Sequence, residues 1–257
     1  MKNIKRYAID LLPHLPHTLK KYCICNSFSR YGGVSNKPFN ELNVGEAVGD
    51  DPEKVSKNIE IIQKFLNVKK IFFAKQVHGT DFFHLTKNNI SINMPPEADG
   101  IFTTEPDIGL MIKHADCQAV VIYDPVKRVI ANIHCGWRGS AQKIISKSIK
   151  ELKRIYGSRP KDLWVGISPS LGPCCSEFKG WSEKLPKWLH KFRIRDNHID
   201  FWSASINELK EANIPIGNIY CAKICTVCNK DYFSYRREGN TGRLATIIAL
   251  KNSKIID

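Results

Sequence analysis

Two apolar runs on either side of a turn signal constrain this chain most. Q-A-V-V-I-Y (118 to 123) and R-V-I-A-N-I-H (128 to 134) flank Asp124-Pro125 and read as strands joined through that turn. Cys117 stands directly in front of the first run, and His134 closes the second. If the two strands are neighbours, their ends bring a thiol and an imidazole together.

The rest of the chain mixes helical and extended patterns. D-D-P-E-K-V-S-K-N-I-E-I-I-Q-K-F-L (50 to 66) predicts a helix capped by Asp50 or Asp51, with Val55, Ile59 and Ile62 on one stripe. K-I-F-F-A-K-Q-V-H (70 to 78) predicts a strand that His78 closes before Gly79, and short β-rich runs follow at A-D-G-I-F-T-T and I-G-L-M-I-K-H. S-A-Q-K-I-I-S-K-S-I-K-E-L-K-R-I-Y (140 to 156) predicts one helix, capped by Ser140 and stopped by Gly157. A strand at 163 to 167, a helix near 203 to 213 and two last strands around Y-F-S-Y-R-R and R-L-A-T-I-I-A-L complete the pattern. The mixture predicts the α+β class (mixed α/β), with helices packed on mixed β-sheets in layers. At 257 residues, with no internal repeat and no long linker, a single domain over 1–257 is expected.

Composition narrows the setting. No apolar run approaches the roughly 20 residues of a membrane span. The N-terminal stretch has Asp10, Pro13 and Pro16 where an export signal keeps an apolar core, so a cytoplasmic location is expected. Nine cysteines in such a chain read as thiols, ligands or catalytic groups rather than a disulfide framework. A net charge of +14 favours anionic partners such as phosphate or nucleotides. The densest basic stretch, K-L-P-K-W-L-H-K-F-R-I-R (184 to 195), carries no nucleic-acid-binding motif, and nucleic acid is not an expected partner.

His78, Cys117 and His134 all fall at strand ends flanked by small residues, Gly79, Ala115 and Gly136. Two imidazoles and one thiolate can hold catalytic zinc with a fourth position open to water, whose pKa falls to about 7. The plainer reading is a buried thiol acting as a small hydrophobe beside two hydrogen-bonded histidines.

A further set of motifs runs through nearly the whole chain. S-R-Y-G-G-V-S-N-K-P-F-N-E-L-N-V-G (29 to 45), K-Q-V-H-G-T (75 to 80), A-D-C (115 to 117), H-C-G-W-R-G (134 to 139), S-L-G-P-C-C (170 to 175) and F-S-Y-R-R-E-G-N-T-G-R (233 to 243) occur in one order. From about residue 27 the chain resembles the multicopper polyphenol oxidase, or laccase-domain, family. The resemblance implies metal-ligand positions at His78, Cys117 and His134. It also implies purine nucleoside phosphorylase activity on adenosine, inosine, guanosine and methylthioadenosine, with adenosine deaminase activity and no organic cofactor. Purine nucleosides and inorganic phosphate are then the partners and Zn2+ the metal, with copper able to occupy the same donors in vitro. The chain departs from the family at His114, where Thr is usual, and at Cys135, where Ala is usual. Cys135, next to His134 on a strand, should face the opposite side. His114 is either a fourth ligand or a supporting residue.

Phosphorolysis needs a phosphate site. Arg30, Arg138, Arg236, Arg237 and Arg243 lie in these motifs, and arginine's planar fork suits phosphate; Arg30, Arg138 and Arg243 are the candidates. Gln76, two residues before His78, should share its face if both lie on a strand, and so is a further substrate-binding candidate. Asp99 and Asp116 are candidates for general acids or for orienting a ligand histidine.

Three other readings use the same residues or their neighbours. A laccase needs a multicopper cluster built from many histidines, and this chain has eight with no His-x-His. A cysteine hydrolase or transferase would use Cys117 as nucleophile with His134 or His78 as base. A structural zinc protein would use Cys221, Cys225 and Cys228 with Cys174 or Cys175.

Overall fold

A computed structural model describes residues 4–92 and 94–252. Its strands, in chain order, are β1 (Ala8–Asp10), β2 (Cys23–Phe28), β3 (Lys70–Phe72), β4 (Phe82–Leu85), β5 (Gly100–Thr103), β6 (Ile108–His114) and β7 (Gln118–Asp124). They continue with β8 (Val129–Cys135), β9 (Trp164–Ile167), β10 (Arg193–Arg195), β11 (His198–Ile199), β12 (Ile219–Cys221) and β13 (Leu244–Leu250). One sheet runs β1-β2-β13-β6-β3, and a second runs β12-β9-β7-β8-β5-β4. Both are mixed: β3 is parallel to β6, β4 to β5 and β12 to β9, and the other pairs within them are antiparallel.

The apolar runs explain the layering. Along β7, Val121 and Tyr123 pack on Leu110 and Ile248 of the first sheet, while Val120 and Ile122 pack on Ile145, Ile149 and Leu152 of the helix Ile144–Tyr156. Along β13, Ile248 and Leu250 face the second sheet, and Ile247 and Ala249 face Ile62 and Leu66 of the helix Pro52–Leu66. Each sheet is therefore covered on both faces, in the order helix, sheet, sheet, helix. Strands buried on both faces read as continuous apolar runs rather than alternating ones.

The sequence and the structure differ at three places. The strand beginning at Lys70 ends at Phe72 instead of His78: beyond it Lys75 makes an isolated bridge to Glu97, and the carboxylate of Asp99 takes the N–H groups of Val77, His78 and Gly79. The helix expected over 140–156 is two, Trp137–Ala141 and Ile144–Tyr156, separated at Lys143 with φ 58°. The stretch around Y-F-S-Y-R-R is no strand but ends in a helical turn, Tyr235–Glu238, because Arg237 ties the carbonyls of Thr226, Val227 and Tyr232 together.

Glu208, on the helix Phe201–Glu211, caps the second of the divided helices. It is buried, and it accepts from the Ser146 N–H at 3.0 Å and the Ser146 hydroxyl at 2.9 Å. Burial pushes its carboxyl up to about 7, against the pull of Ser146. The folded state thus holds a proton that the unfolded chain releases near 4.5, so stability should fall as pH rises from about 4.5 to about 7. Thermal melting across that range should show the Glu208→Gln variant losing this slope and gaining about 1–3 kcal/mol over the parent at pH 8.

Candidate metal centre and substrate cavity

The register of the second sheet assembles the centre. Ala119 pairs with His134 and Gln118 with Cys135 across β7 and β8, which sets Cys117 opposite Gly136. β5 pairs antiparallel with β8, and the His134 N–H donates to the Asp99 carbonyl at 2.7 Å. The loop between β3 and β4 carries His78 to the same end. One donor atom each from His78, Cys117 and His134 all lie within 4.8 Å of one another. His78 has φ 60° and Asp116 has φ 87°, so both flanks of the centre hold non-glycine residues in the left-handed region. Such conformations persist only where surrounding contacts fix them, as they often do at functional sites.

Asp99 supplies those contacts for His78. Fully buried, it accepts from His78 N at 3.0 Å and Gly79 N at 2.6 Å, and from Nδ1–H of His134 at 2.8 Å. The last bond fixes the His134 tautomer and leaves Nε2 to face Cys117. Burial pushes the Cys117 thiol up, but His134 and His78 outweigh it and hold it at about 6. Burial likewise lowers His134, while Cys117 and Asp99 raise it to about 9. Each of the two groups thus favours the charged form of the other.

The donors fit a metal. Two imidazoles and a low-lying thiol make a set suited to zinc, and a cation there takes the place of the shared proton. Space is kept by Gly136, where a Cβ would lie 3.1 Å from both Cys117 Sγ and His78 Cδ2. His114 is not in this group; it is buried, and its Nε2 is bonded to Thr246 Oγ1 at 2.8 Å. Cys135 faces the opposite layer, as expected, with its sulfur 3.2 Å from Ser140 Oγ.

Two cavities lie near the centre, and of its three donors only Cys117 is among their lining residues. One, of about 500 Å³, is lined by Cys117, Trp137, Phe178, Phe201, Tyr235 and Arg236 among others. The other, of about 430 Å³, is lined by Gln76, Lys75, Lys113 and Arg243. Arg243 is half-buried; burial lowers its pKa, Cys117, Asp116 and Tyr235 oppose that in part, and its Nη1 donates to the carbonyls of Thr241 at 2.9 Å and Gly242 at 3.1 Å. Arg138 is exposed, 4.3 Å over the ring of Trp137, and is not among the residues lining either cavity.

Other candidates are committed elsewhere. Arg30 pairs with Glu238 at 2.7 Å, donates to the Asn40 carbonyl and stacks on Phe233. The Gln76 amide zips to both backbone groups of Lys113, at 2.8 and 2.9 Å, so it lies at the cavity wall with its hydrogen-bonding capacity largely used. Asp116 accepts from Thr226 Oγ1 and Arg236 N and so fixes loops. The aromatic lining escaped the sequence reading, because Trp137, Phe178, Phe201 and Tyr235 come from separate segments and share no spacing.

Fold and site together define an α+β protein with a two-histidine, one-cysteine group, able to hold a metal, whose cysteine lines an aromatic cavity. Residues 24–251 match the profile of the multi-copper polyphenol oxidoreductase laccase family, and the chain belongs to that family. It is 30% identical to a purine nucleoside phosphorylase of Clostridium acetobutylicum over 233 residues, covering 88% of this chain and 93% of that one. It is 35% identical to a purine nucleoside phosphorylase of Borreliella burgdorferi over 212 residues, 79% and 85% of the two chains. The crystal structure of YlmD from Geobacillus stearothermophilus superposes with a TM-score of 0.82 at 27% identity, covering 90% and 92%. Among the described residues no helix is long and apolar enough to cross a membrane.

Proposed function

We propose that this protein is a zinc-dependent purine nucleoside phosphorylase. It cleaves adenosine, inosine, guanosine and methylthioadenosine with phosphate, and deaminates adenosine as a second activity. The observation that carries this is the meeting of His78, Cys117 and His134, with Cys117 lining an aromatic cavity, in a chain similar to proteins named for that activity. We place it in the cytoplasm, where thiols such as Cys117 stay reduced.

In phosphorolysis a phosphate oxygen forms a bond to C1′ of the ribose and the bond from C1′ to N9 of the purine breaks. The ribose gains positive charge on the way, and the base leaves with the electron pair and takes up a proton. Trp137, Phe178, Phe201 and Tyr235 offer ring faces on which a purine stacks while water is kept out. Arg243, with Lys113 beside it, presents cationic donors to the phosphate. Asp99 keeps His134 in one tautomer and His78 in its left-handed backbone conformation throughout. His78, Cys117 and His134 would hold zinc, which when bound would supply Lewis acidity and lower the pKa of a water.

If Arg243 binds phosphate, Arg243→Ala should raise the KM for phosphate roughly 10–100-fold, the loss of one charge-assisted contact of about 1.5–3 kcal/mol, with a smaller change in the KM for nucleoside. Initial rates at varied phosphate measure this. Chromatography of adenosine incubated with zinc-replete protein tests the reading as a whole. Adenine and hypoxanthine that form only with phosphate, and inosine that forms with or without it, are expected; unreacted adenosine throughout contradicts it. The lowered thiol beside His134 also suits a cysteine nucleophile. Loss of activity on chelation, restored by zinc, separates the metal reading from that one.

A further inference from the structure

Four more cysteines converge behind the wall of the aromatic cavity. Cys174 and Cys175 lie in the loop that follows β9, and Cys225 and Cys228 sit on the turn that follows β12. Their four sulfurs all lie within 4.8 Å of one another. Cys228 Sγ is 3.5 Å from Cys174 Sγ and 3.4 Å from Cys175 Sγ, and all four cysteines are free thiols. Those separations exceed a disulfide bond, about 2.05 Å. They approach the edge of about 3.8 Å that a tetrahedron of sulfurs has around zinc at about 2.3 Å.

The surroundings are built for this convergence. Cys225 is buried, and its sulfur accepts from the Gly172 N–H at 3.3 Å and from the N–H groups of Cys228 and Val227. The two loops are tied by Ser170 N to the Ile224 carbonyl and Thr226 N to the Ser170 carbonyl, each 3.1 Å. A Cβ on Gly172 would come within 2.9 Å of Cys225 Cβ, so the close approach needs glycine there. Cys221, the other cysteine of this segment, packs with the helix layer and is not part of the group.

We propose that Cys174, Cys175, Cys225 and Cys228 form a second metal site, a closed tetrathiolate that takes zinc. The four thiols give up their protons to solvent as the ion binds. With every ligand supplied by protein, the site has no position for water or substrate and is structural. What it holds is the cavity wall. Both loops grip Asp116, through Leu171 N to the Asp116 carbonyl at 2.8 Å and Thr226 Oγ1 to Asp116 Oδ1 at 2.7 Å, and Asp116 immediately precedes Cys117.

Zinc content per chain tests the assignment, measured by elemental mass spectrometry after gel filtration in reducing buffer. The full chain should carry about two equivalents, and Cys117→Ala and Cys228→Ser should each lose about one, with only the double variant losing both. Alkylation of the unmutated protein gives a test independent of refolding. Cys174 and Cys228, both exposed, should react with iodoacetamide at least about tenfold faster after chelation than in zinc-loaded protein, read peptide by peptide. Zinc that is lost entirely with Cys117→Ala, equal alkylation with and without chelator, or a Cys175 to Cys228 disulfide recovered from reducing buffer would each overturn the proposal.

Discussion

Replacing Cys117 with alanine is expected to abolish phosphate-dependent release of purine base while leaving the chain folded. Cys117 is one of three donors to the centre and the only sulfur among them. Residues that merely support a metal ligand carry roughly 10–100-fold in affinity or activity, so removing a ligand should cost more, about 10³-fold or beyond. The fold has little at stake. Cys117 is half-buried at the start of β7, and removing its sulfur should change stability by about 1 kcal/mol, the size of an ordinary substitution. Hypoxanthine release from inosine, followed beside thermal melting of the same sample, measures both. Cys117→Ala with near-normal turnover would move the chemistry away from this centre.

The second large effect is expected at Asp99, although this residue reaches substrate only through others. Its Oδ1 accepts from His78 N and His134 Nδ1, and its Oδ2 accepts from Gly79 N at 2.6 Å and Val77 N at 3.2 Å. A carboxylate suits four donors because it has only lone pairs to offer. Asp99→Asn must turn an NH2 toward one of the two pairs, and either choice sets donor against donor in a fully buried place. The variant should lose about 1–3 kcal/mol of stability and roughly 10–100-fold in zinc affinity. Acid should act on the parent in the same direction. Burial raises the Asp99 carboxyl, but His134 and the N–H groups of Gly79 and His78 outweigh it and hold it below 3.8. Its contribution is therefore complete above that value and is lost as pH falls through the lower folded value. Asp99→Asn should lack that acid-dependent loss. Chelator competition for zinc and melting at varied pH check the two halves.

The fold was legible wherever burial wrote a pattern. The long runs of β7, β8 and β13 are apolar because both faces of each sheet are covered, and the helix Pro52–Leu66 shows both its cap at Asp51 and its stripe. It was illegible where a single polar group redirects the backbone. Nothing local in K-Q-V-H reveals that Asp99, about 20 residues away, takes its N–H groups, nor does Y-F-S-Y-R-R show that Arg237 will curl it. Candidate ligands were visible as chemistry at run ends, and their meeting depends on a register that only pairing sets. Of the arginines, Arg30 turned out to serve Glu238, a partner 208 residues away. The sequence motif that makes it noticeable says nothing of which anion it meets.

Phosphorolysis at the His78, Cys117 and His134 centre is best followed by phosphorus NMR of inosine and inorganic phosphate incubated with zinc-loaded protein. A ribose 1-phosphate resonance should grow in step with hypoxanthine, and should be absent with Cys117→Ala under the same conditions. Hypoxanthine formed with no sugar phosphate, or a sugar phosphate that persists at the parent rate in the variant, would contradict phosphorolysis at this centre.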